Sequence, residues 1–462
     1  MKKKLISLLV TTAMAVTLFA GCGAKEETPA QDPAPAEEEA PAQEEAPAEA
    51  ETPAEEETPA EEETPAEDTA AADEGAANYD GVTLTMWSMW ANTEPQGKVL
   101  QEAADAFSAQ TGATINIEWK GRDVKTIIAT ALEANENVDI FEEDYQRIAS
   151  TYSEYCLDVT EMAEAAGYGD IGFQCFVDQQ KEWSGAFNSI AEQPQVGGIF
   201  YNKDIFDAAG VTTLPATWDE FLTACQAMVD AGFEPMALDD AYADFALAYH
   251  LSRHVGQEAL GELSLNGGWG ENEQIIKGAQ ELIDFVKAGY LESGAPGAYP
   301  ESQNKIGLTE KVAMIVCANY VCAEVNNNTG SEINWGLMNY PAVEGGADSS
   351  NAYAGANSLA ISKNCANPQA AFDFIMFLTT GEFDQKMADG ASQIPADSRN
   401  TAPAIMDGTV ETLLATKAPL KWNMGLTDNS DLGPQFKDVA IKLFEGGFAS
   451  GEEFAAAMDA LY

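Results

Sequence analysis

Apolar and polar positions alternate over Val82-Thr83-Leu84-Thr85-Met86-Trp87, the period of a β-strand. The period then lengthens: Val99, Leu100, Ala103 and Phe107 fall at helical spacing within 96–110, and Gly112 offers a stop. Ile115, Ile117 and Trp119 alternate again, residues 123–133 read as helix, and Val138-Asp139-Ile140-Phe141 reads as a third strand. This βαβαβ rhythm predicts an open, mostly parallel sheet with helices on both faces. Ligands of such sheets sit beyond the carboxyl ends of the strands, here Ser88–Glu94 and Glu142–Tyr145.

Farther along, Gly198 to Tyr201 is a short apolar run suited to a buried strand. Asn202 or Asp204 can cap the short helix after it, and Gly210 suits its left-handed end. Thr217 and Glu220 stand three apart, as in a capping box, so a helix is expected from Trp218 to about Gly232, with Trp218 in the core. Asn367-Pro368 places a cap and a first-turn proline before Phe372, Ile375, Met376 and Thr379, the buried face of a later helix.

At 462 residues and 45% apolar content the chain exceeds one ordinary domain and can bury a sizeable core. Its net charge of -53 argues against nucleic acid and against direct adsorption on anionic lipid. Residues 23–78 hold 20 acidic residues against one lysine, in Pro, Ala, Glu and Thr with a six-residue unit repeated from Glu51, Glu57 and Glu63. With nothing to bury and like charges repelling, this stretch is expected to be an extended tether of roughly 170 Å contour at about 3.1 Å per residue. Residues 79–462 keep 56 acidic and 19 basic residues, so the folded part is acidic in its own right.

Lys2, Lys3 and Lys4 precede an apolar run from Leu5 to Phe19, a secretory signal rather than a spanning helix. Ala20-Gly21-Cys22 then resembles a lipobox, which implies diacylation of Cys22 and a lipid anchor at the extracytoplasmic face of the cell membrane. Phe19 stands where that motif usually has Leu, and an ordinary signal peptide cut nearby is the other reading. Cys156, Cys175, Cys225, Cys317, Cys322 and Cys365 show no C-x-x-C spacing, so buried thiols are the commoner expectation and no bridge is assigned.

Gln195 to Val211, containing Ile199-Phe200-Tyr201-Asn202-Lys203-Asp204-Ile205-Phe206, followed by Leu214-Pro215-Ala216-Thr217-Trp218-Asp219-Glu220-Phe221, resembles the central signature of the extracellular solute-binding proteins of family 1, the sugar-capturing components of ABC importers. Leu308–Val316 resembles a second family strand, which runs into a loop ending in an aromatic, here Cys317-Ala318-Asn319-Tyr320. Trp335–Pro341 and Gly355–Ser362 follow in the family's order, so the resemblance runs from about Thr83 to the C-terminus. It implies an α/β, two-lobed periplasmic-binding-protein-like fold of type II, each lobe a mixed, mostly parallel sheet flanked by helices and joined by hinge strands, with Gln195 to Gly198 in the first hinge. The expected organisation is a signal at 1–21, Cys22 and the tether at 22–78, a first lobe at 79–194 and 331–392, and a second at 195–330 and 393–462.

The same resemblance implies a monomeric sugar receptor that closes over its ligand and docks on ABC permease subunits, with no enzyme activity, cofactor or metal. Trp87 and the loop Ser88 to Glu94, with Trp90, match the family's first ligand-contacting loop, and Asp144 matches its sugar-binding carboxylate. Gln195 falls at the crossover, Asp240 and Tyr242 lie near the contacts after Glu234-Pro235-Met236-Ala237, and Tyr320 stands where relatives usually place a stacking Trp. Gly355, Asn357 and Trp422 complete the candidate set. Of Trp90, Trp269, Trp335 and Trp422, one or two are expected in the cleft, because sugars need flat aromatic platforms as well as hydrogen-bonding groups.

Other readings stay open at this level. An exported glycosidase needs two carboxylates about 5 to 10 Å apart, and nothing in the sequence marks a partner for Glu142, Glu143 or Asp144. The fold is also compatible with a peptide, polyamine or metal cargo, and the acidic excess suits a cation. His250 and His254 stand four apart in an expected helix and have the spacing to share a metal, but without an H-E-x-x-H context the expectation is a satisfied structural role.

Overall fold

The computed structural model describes residues 77–462. The export signal, Cys22 and the acidic stretch up to residue 76 lie outside the described residues. Strand β1 (Thr83–Ser88) pairs in parallel with β2 (Thr114–Trp119) and β3 (Ile140–Asp144). Both faces of β1 are covered, as a parallel strand requires. Leu84 and Met86 pack with Leu100, Ala103 and Phe107 of the helix Pro95–Thr111, and Trp87 packs with Val124 and Ile128 of the helix Val124–Glu133.

The remaining strands are β4 (Ser189–Asn202), β5 (Glu234–Ala237), β6 (Val312–Ala318), β7 (Trp335–Met338) and β8 (Tyr353–Ile361). Their order is β2-β1-β3-β8-β4-β6-β5, with β7 also on β4. The sheet is mixed rather than mostly parallel throughout: β5 pairs in parallel with β6, whereas β8 runs antiparallel to β3 and β4, and β4 antiparallel to β6 and β7.

Two long strands belong to both lobes. Ser189–Gln193 of β4 and Asn357–Ala360 of β8 lie beside β3 in the first lobe, while Gly197–Asn202 of β4 lies beside β6 and β7 in the second. Between them, Pro194-Gln195 faces Gly355-Ala356 with neither β3 nor β6 alongside. Proline donates no ladder hydrogen bond, so its place here weakens the sheet where it is narrowest.

The return to the first lobe comes later than residue 331. Strand β7 pairs with the second-lobe half of β4, Trp335, Tyr340 and Tyr353 join the larger core, and pairing with β3 resumes only at Asn357. The pattern Trp335–Met338 reads as strand without saying which edge it joins. Residues 317–320 are likewise not one loop: β6 continues through Ala318, and Tyr320 opens the helix Tyr320–Thr329.

The helix Trp218–Asp230 starts with the expected capping box, the Thr217 hydroxyl accepting from the Glu220 amide at 3.4 Å and Glu220 accepting from the Thr217 amide at 3.0 Å. Thr217→Ala is expected to cost about 1 kcal/mol of stability, read as a lower melting temperature with unchanged ligand affinity. The six described cysteines are free thiols, five of them buried.

Candidate functional site

A cavity of about 360 Å³ opens beside the two-strand crossing. Lys125, Asp144, Tyr145 and Gln146 line it from the first lobe, Tyr320, Tyr353, Lys421 and Trp422 from the second, and Gln195 and Gly355 form its floor. Asp144 is there because β3 ends on it, and its Oδ1 caps the following turn by accepting the Arg147 amide at 3.0 Å. Burial pushes its carboxyl up to about 6, partly offset by that amide.

The opposite wall is aromatic. Trp422 stacks on Phe245 with ring centroids 4.2 Å apart and 19° between planes, and meets Tyr353 edge-on at 5.3 Å. Tyr353 donates from its hydroxyl to Oε1 of Gln195 at 3.3 Å, tying wall to floor. A Cβ on Gly355 would lie 2.5 Å from the Tyr353 hydroxyl, so glycine is what lets that ring lie over the floor. Trp422 leads a strained segment: Asn423, Met424 and Gly425 all have positive φ, at 57°, 45° and 92°. The Asn423 amide donates to Asp244 at 2.8 Å, which helps hold this conformation.

Five of the twelve sequence-derived candidates therefore meet at one cavity: Asp144, Gln195, Tyr320, Gly355 and Trp422. Tyr242 stands behind Tyr320, ring centroids 6.3 Å apart, and Asn357 is the direct cross-strand partner of Asp144. Asp240 lies elsewhere, accepting the Tyr299 amide at 3.0 Å.

The first loop is folded onto its own lobe instead. The Ser88 hydroxyl donates to buried Glu142 at 2.9 Å, and Arg122 pairs with Glu94 at 2.9 Å while its guanidinium lies 4.4 Å over Trp90. Trp87 is core, with the Lys120 ammonium 4.1 Å over its ring. Trp269 and Trp335 are fully buried. Tyr145 lies in the strand-end stretch Glu142–Tyr145 where a ligand is expected. Sequence reasoning missed Lys125, Gln146, Tyr353 and Lys421, of which all but Lys125 lie within two residues of a chosen position, and Lys125 carried no signal.

Beneath the first loop, Glu142 and Glu192 are buried together, the Trp90 indole donating to Glu192 at 3.5 Å. Burial, then the neighbouring Glu192, holds Glu142 well above the carboxylate range, and burial pushes Glu192 up to about 7. Asp384 is likewise pushed up to about 7, mainly by burial. Such groups favour folding when protonated, so their contribution grows as pH falls through 7 and is lost as pH rises. Stability is expected to increase by roughly 1–2 kcal/mol from pH 8 to pH 6.5. Chemical denaturation at the two pH values reads this, and Glu192→Gln is expected to shrink the difference.

Two lobes joined by antiparallel crossing strands, with a polar and aromatic cavity beside the crossing, define the class of two-lobed solute receptors. The chain belongs to the bacterial extracellular solute-binding protein family, whose sequence profile matches residues 90–382. Similar solved structures include a probable secreted solute-binding lipoprotein from Streptomyces coelicolor, 17% identical, with a TM-score of 0.67 over 82% of this chain and 98% of that one. A chitin oligosaccharide binding protein is 20% identical, with a TM-score of 0.61 over 82% and 97%. The bacterial solute receptor AcbH, described as preferring β-D-galactopyranose exclusively, is 14% identical, with a TM-score of 0.66 over 84% and 97%. Putative binding proteins of Brucella abortus and Brucella suis are 22% identical over 208 residues, 43% of this chain, and the match spans about half (48%) of their length.

Proposed function

We propose that the chain is an exported, lipid-anchored receptor that captures a mono- or oligosaccharide in the interlobe cavity and delivers it to an ABC permease. The observation that carries this reading is the facing of Trp422, Tyr353 and Tyr320 by Asp144 and Gln146 across one cavity, with Gln195 on its floor. A sugar offers C–H faces to rings and hydroxyl edges to carboxylate and amide groups, and this wall pair meets both. Ligand favours closure because it touches both lobes only when they approach, and periplasmic binding proteins are a standard instance of such hinge closure.

The cavity does not share the acidity of the whole chain: Lys125 and Lys421 line it beside one carboxylate, Asp144, and with Lys421 paired to Asp428 at 2.6 Å the lining is close to neutral. That balance favours a neutral polar guest over a polyamine. A single lining carboxylate also lacks the pair that glycoside hydrolysis requires, and the family and the similar structures are those of binding proteins. Calorimetric titration with mono- and oligosaccharides, against polyamines and peptides, tests the reading. Asp144→Ala is expected to weaken the sugar that binds by about 1–3 kcal/mol, the loss of a charge-assisted hydrogen bond. Binding of a polyamine alone, or an unchanged affinity in the variant, would count against it.

A further inference from the structure

We infer that His250, His254 and Glu281 form a site for a divalent transition metal of the zinc class, in the second lobe and separate from the sugar cavity. These are the only two histidines in the chain, and both are buried. They stand one turn apart on the helix Ala243–Val255, so both rings project from one face. Glu281, on the helix Glu273–Lys287, meets them there: its Oε2 lies 3.1 Å from Nε2 of His250 and 2.9 Å from Nε2 of His254. The three ligand atoms all lie within 4.8 Å of one another. Bonds of about 2.0–2.2 Å to a tetrahedral zinc ion set ligand–ligand spans of roughly 3.3 Å, so small side-chain rotations bring all three onto one ion.

The surroundings fit a ligand set. The Tyr340 hydroxyl lies 3.2 Å from Nδ1 of His250, the outer partner that fixes ring orientation and leaves Nε2 for the metal. Lys277 approaches the other carboxylate oxygen, Oε1, at 3.8 Å, leaving Oε2 to the histidines. Gly278 lets the two helices close: a Cβ there would lie 2.7 Å from Cδ2 of His254. Glu281 also borders a surface cavity of about 480 Å³, lined by Thr217, Trp218 and Lys277 among others, so the site is approached from solvent on its carboxylate side. Among the described residues, none lines both this cavity and the sugar cavity. Two imidazoles and a carboxylate suit zinc, cobalt or nickel rather than magnesium or calcium, and the ion would pin one helix to the other.

The full chain, stripped with a chelator, is titrated with Zn²⁺ by calorimetry and with Co²⁺ by absorption. The expected result is one equivalent bound, a higher melting temperature, and cobalt bands of a tetrahedral site without the near-ultraviolet band of thiolate ligation. Excess Mg²⁺ or Ca²⁺ is expected not to displace it. Affinity is expected to fall by about tenfold or more in His254→Gln and in Glu281→Gln, and to fall in Tyr340→Phe. Asp144→Ala, altered only in the sugar cavity, is expected to bind metal as the parent does. The inference is overturned by absent stoichiometric binding, a thiolate cobalt spectrum, equal affinity in the His254 and Glu281 variants, or loss in Asp144→Ala. Should a ligand variant fail to fold by circular dichroism, the parent's cobalt spectrum and Tyr340→Phe decide.

Discussion

Trp422→Ala is expected to weaken carbohydrate binding by at least about 2 kcal/mol, roughly thirtyfold, in a calorimetric titration. The indole contributes the largest flat surface of the cavity, and its stacking on Phe245 and edge contact with Tyr353 fix its plane before any ligand arrives. Rigid aromatic anchors lose little conformational freedom on binding, which is why truncating one costs more than removing a mobile polar contact. Trp422→Phe is expected to recover part of the affinity. Equal binding by the alanine variant would remove the aromatic wall from the site and with it the main support for a sugar ligand.

Gly425→Ala is expected to destabilise the second lobe by about 3–5 kcal/mol. Two terms add there. At φ 92° a side chain is strained, and a Cβ would lie 2.5 Å from the Gln257 carbonyl oxygen and 2.7 Å from the Gly261 nitrogen, backbone atoms that have no rotamer to change. Gly345 separates the terms, since it has φ 72° with nothing near its missing Cβ, and Gly345→Ala is expected to cost only about 1 kcal/mol. Denaturant unfolding of the two variants reads the difference. Because Gly425 ends the segment that begins at Trp422, its variant is also expected to lose sugar affinity; similar small losses of stability in both variants would mean that the segment relaxes easily.

The first lobe was legible where a single period dominates. The strand at Val82–Trp87, the helix closed by Gly112 and the third strand near Ile140 all appear within a few residues of expectation, because each buries a regular stripe. The Thr217 and Glu220 capping box was legible for a local reason, since its two hydrogen bonds span three residues. Strand β4 was only half legible: its apolar end stood out, whereas Ser189, Glu192 and Gln193 look like loop residues and are buried within the first lobe, against Gln180, Trp90 and Met387. No short window along the chain reveals such burial, because Trp90 and Met387, which Glu192 and Gln193 contact, are far away in sequence.

In the candidate site, Asp144 and Gln195 were readable from the family resemblance and Trp422 as one of four unassigned tryptophans. Trp90 failed for a reason that spacing does not carry: Arg122, more than thirty positions along, lies over its ring and turns the loop inward. Tyr353 lies just outside the Gly355–Ser362 motif and carried no signal of its own; its ring is buried, yet it also borders the cavity.

When the lobes rotate, the two crossing strands bend at Pro194-Gln195 and Gly355-Ala356, and two of those four residues also line the cavity. On the function proposed above, pivot and recognition surface are partly one object, and substitutions at Gln195 or Gly355 are expected to alter bending and affinity together. Retargeting this receptor to a new guest therefore calls for rewriting residues such as Lys125, Gln146 and Tyr320 and leaving the axle untouched.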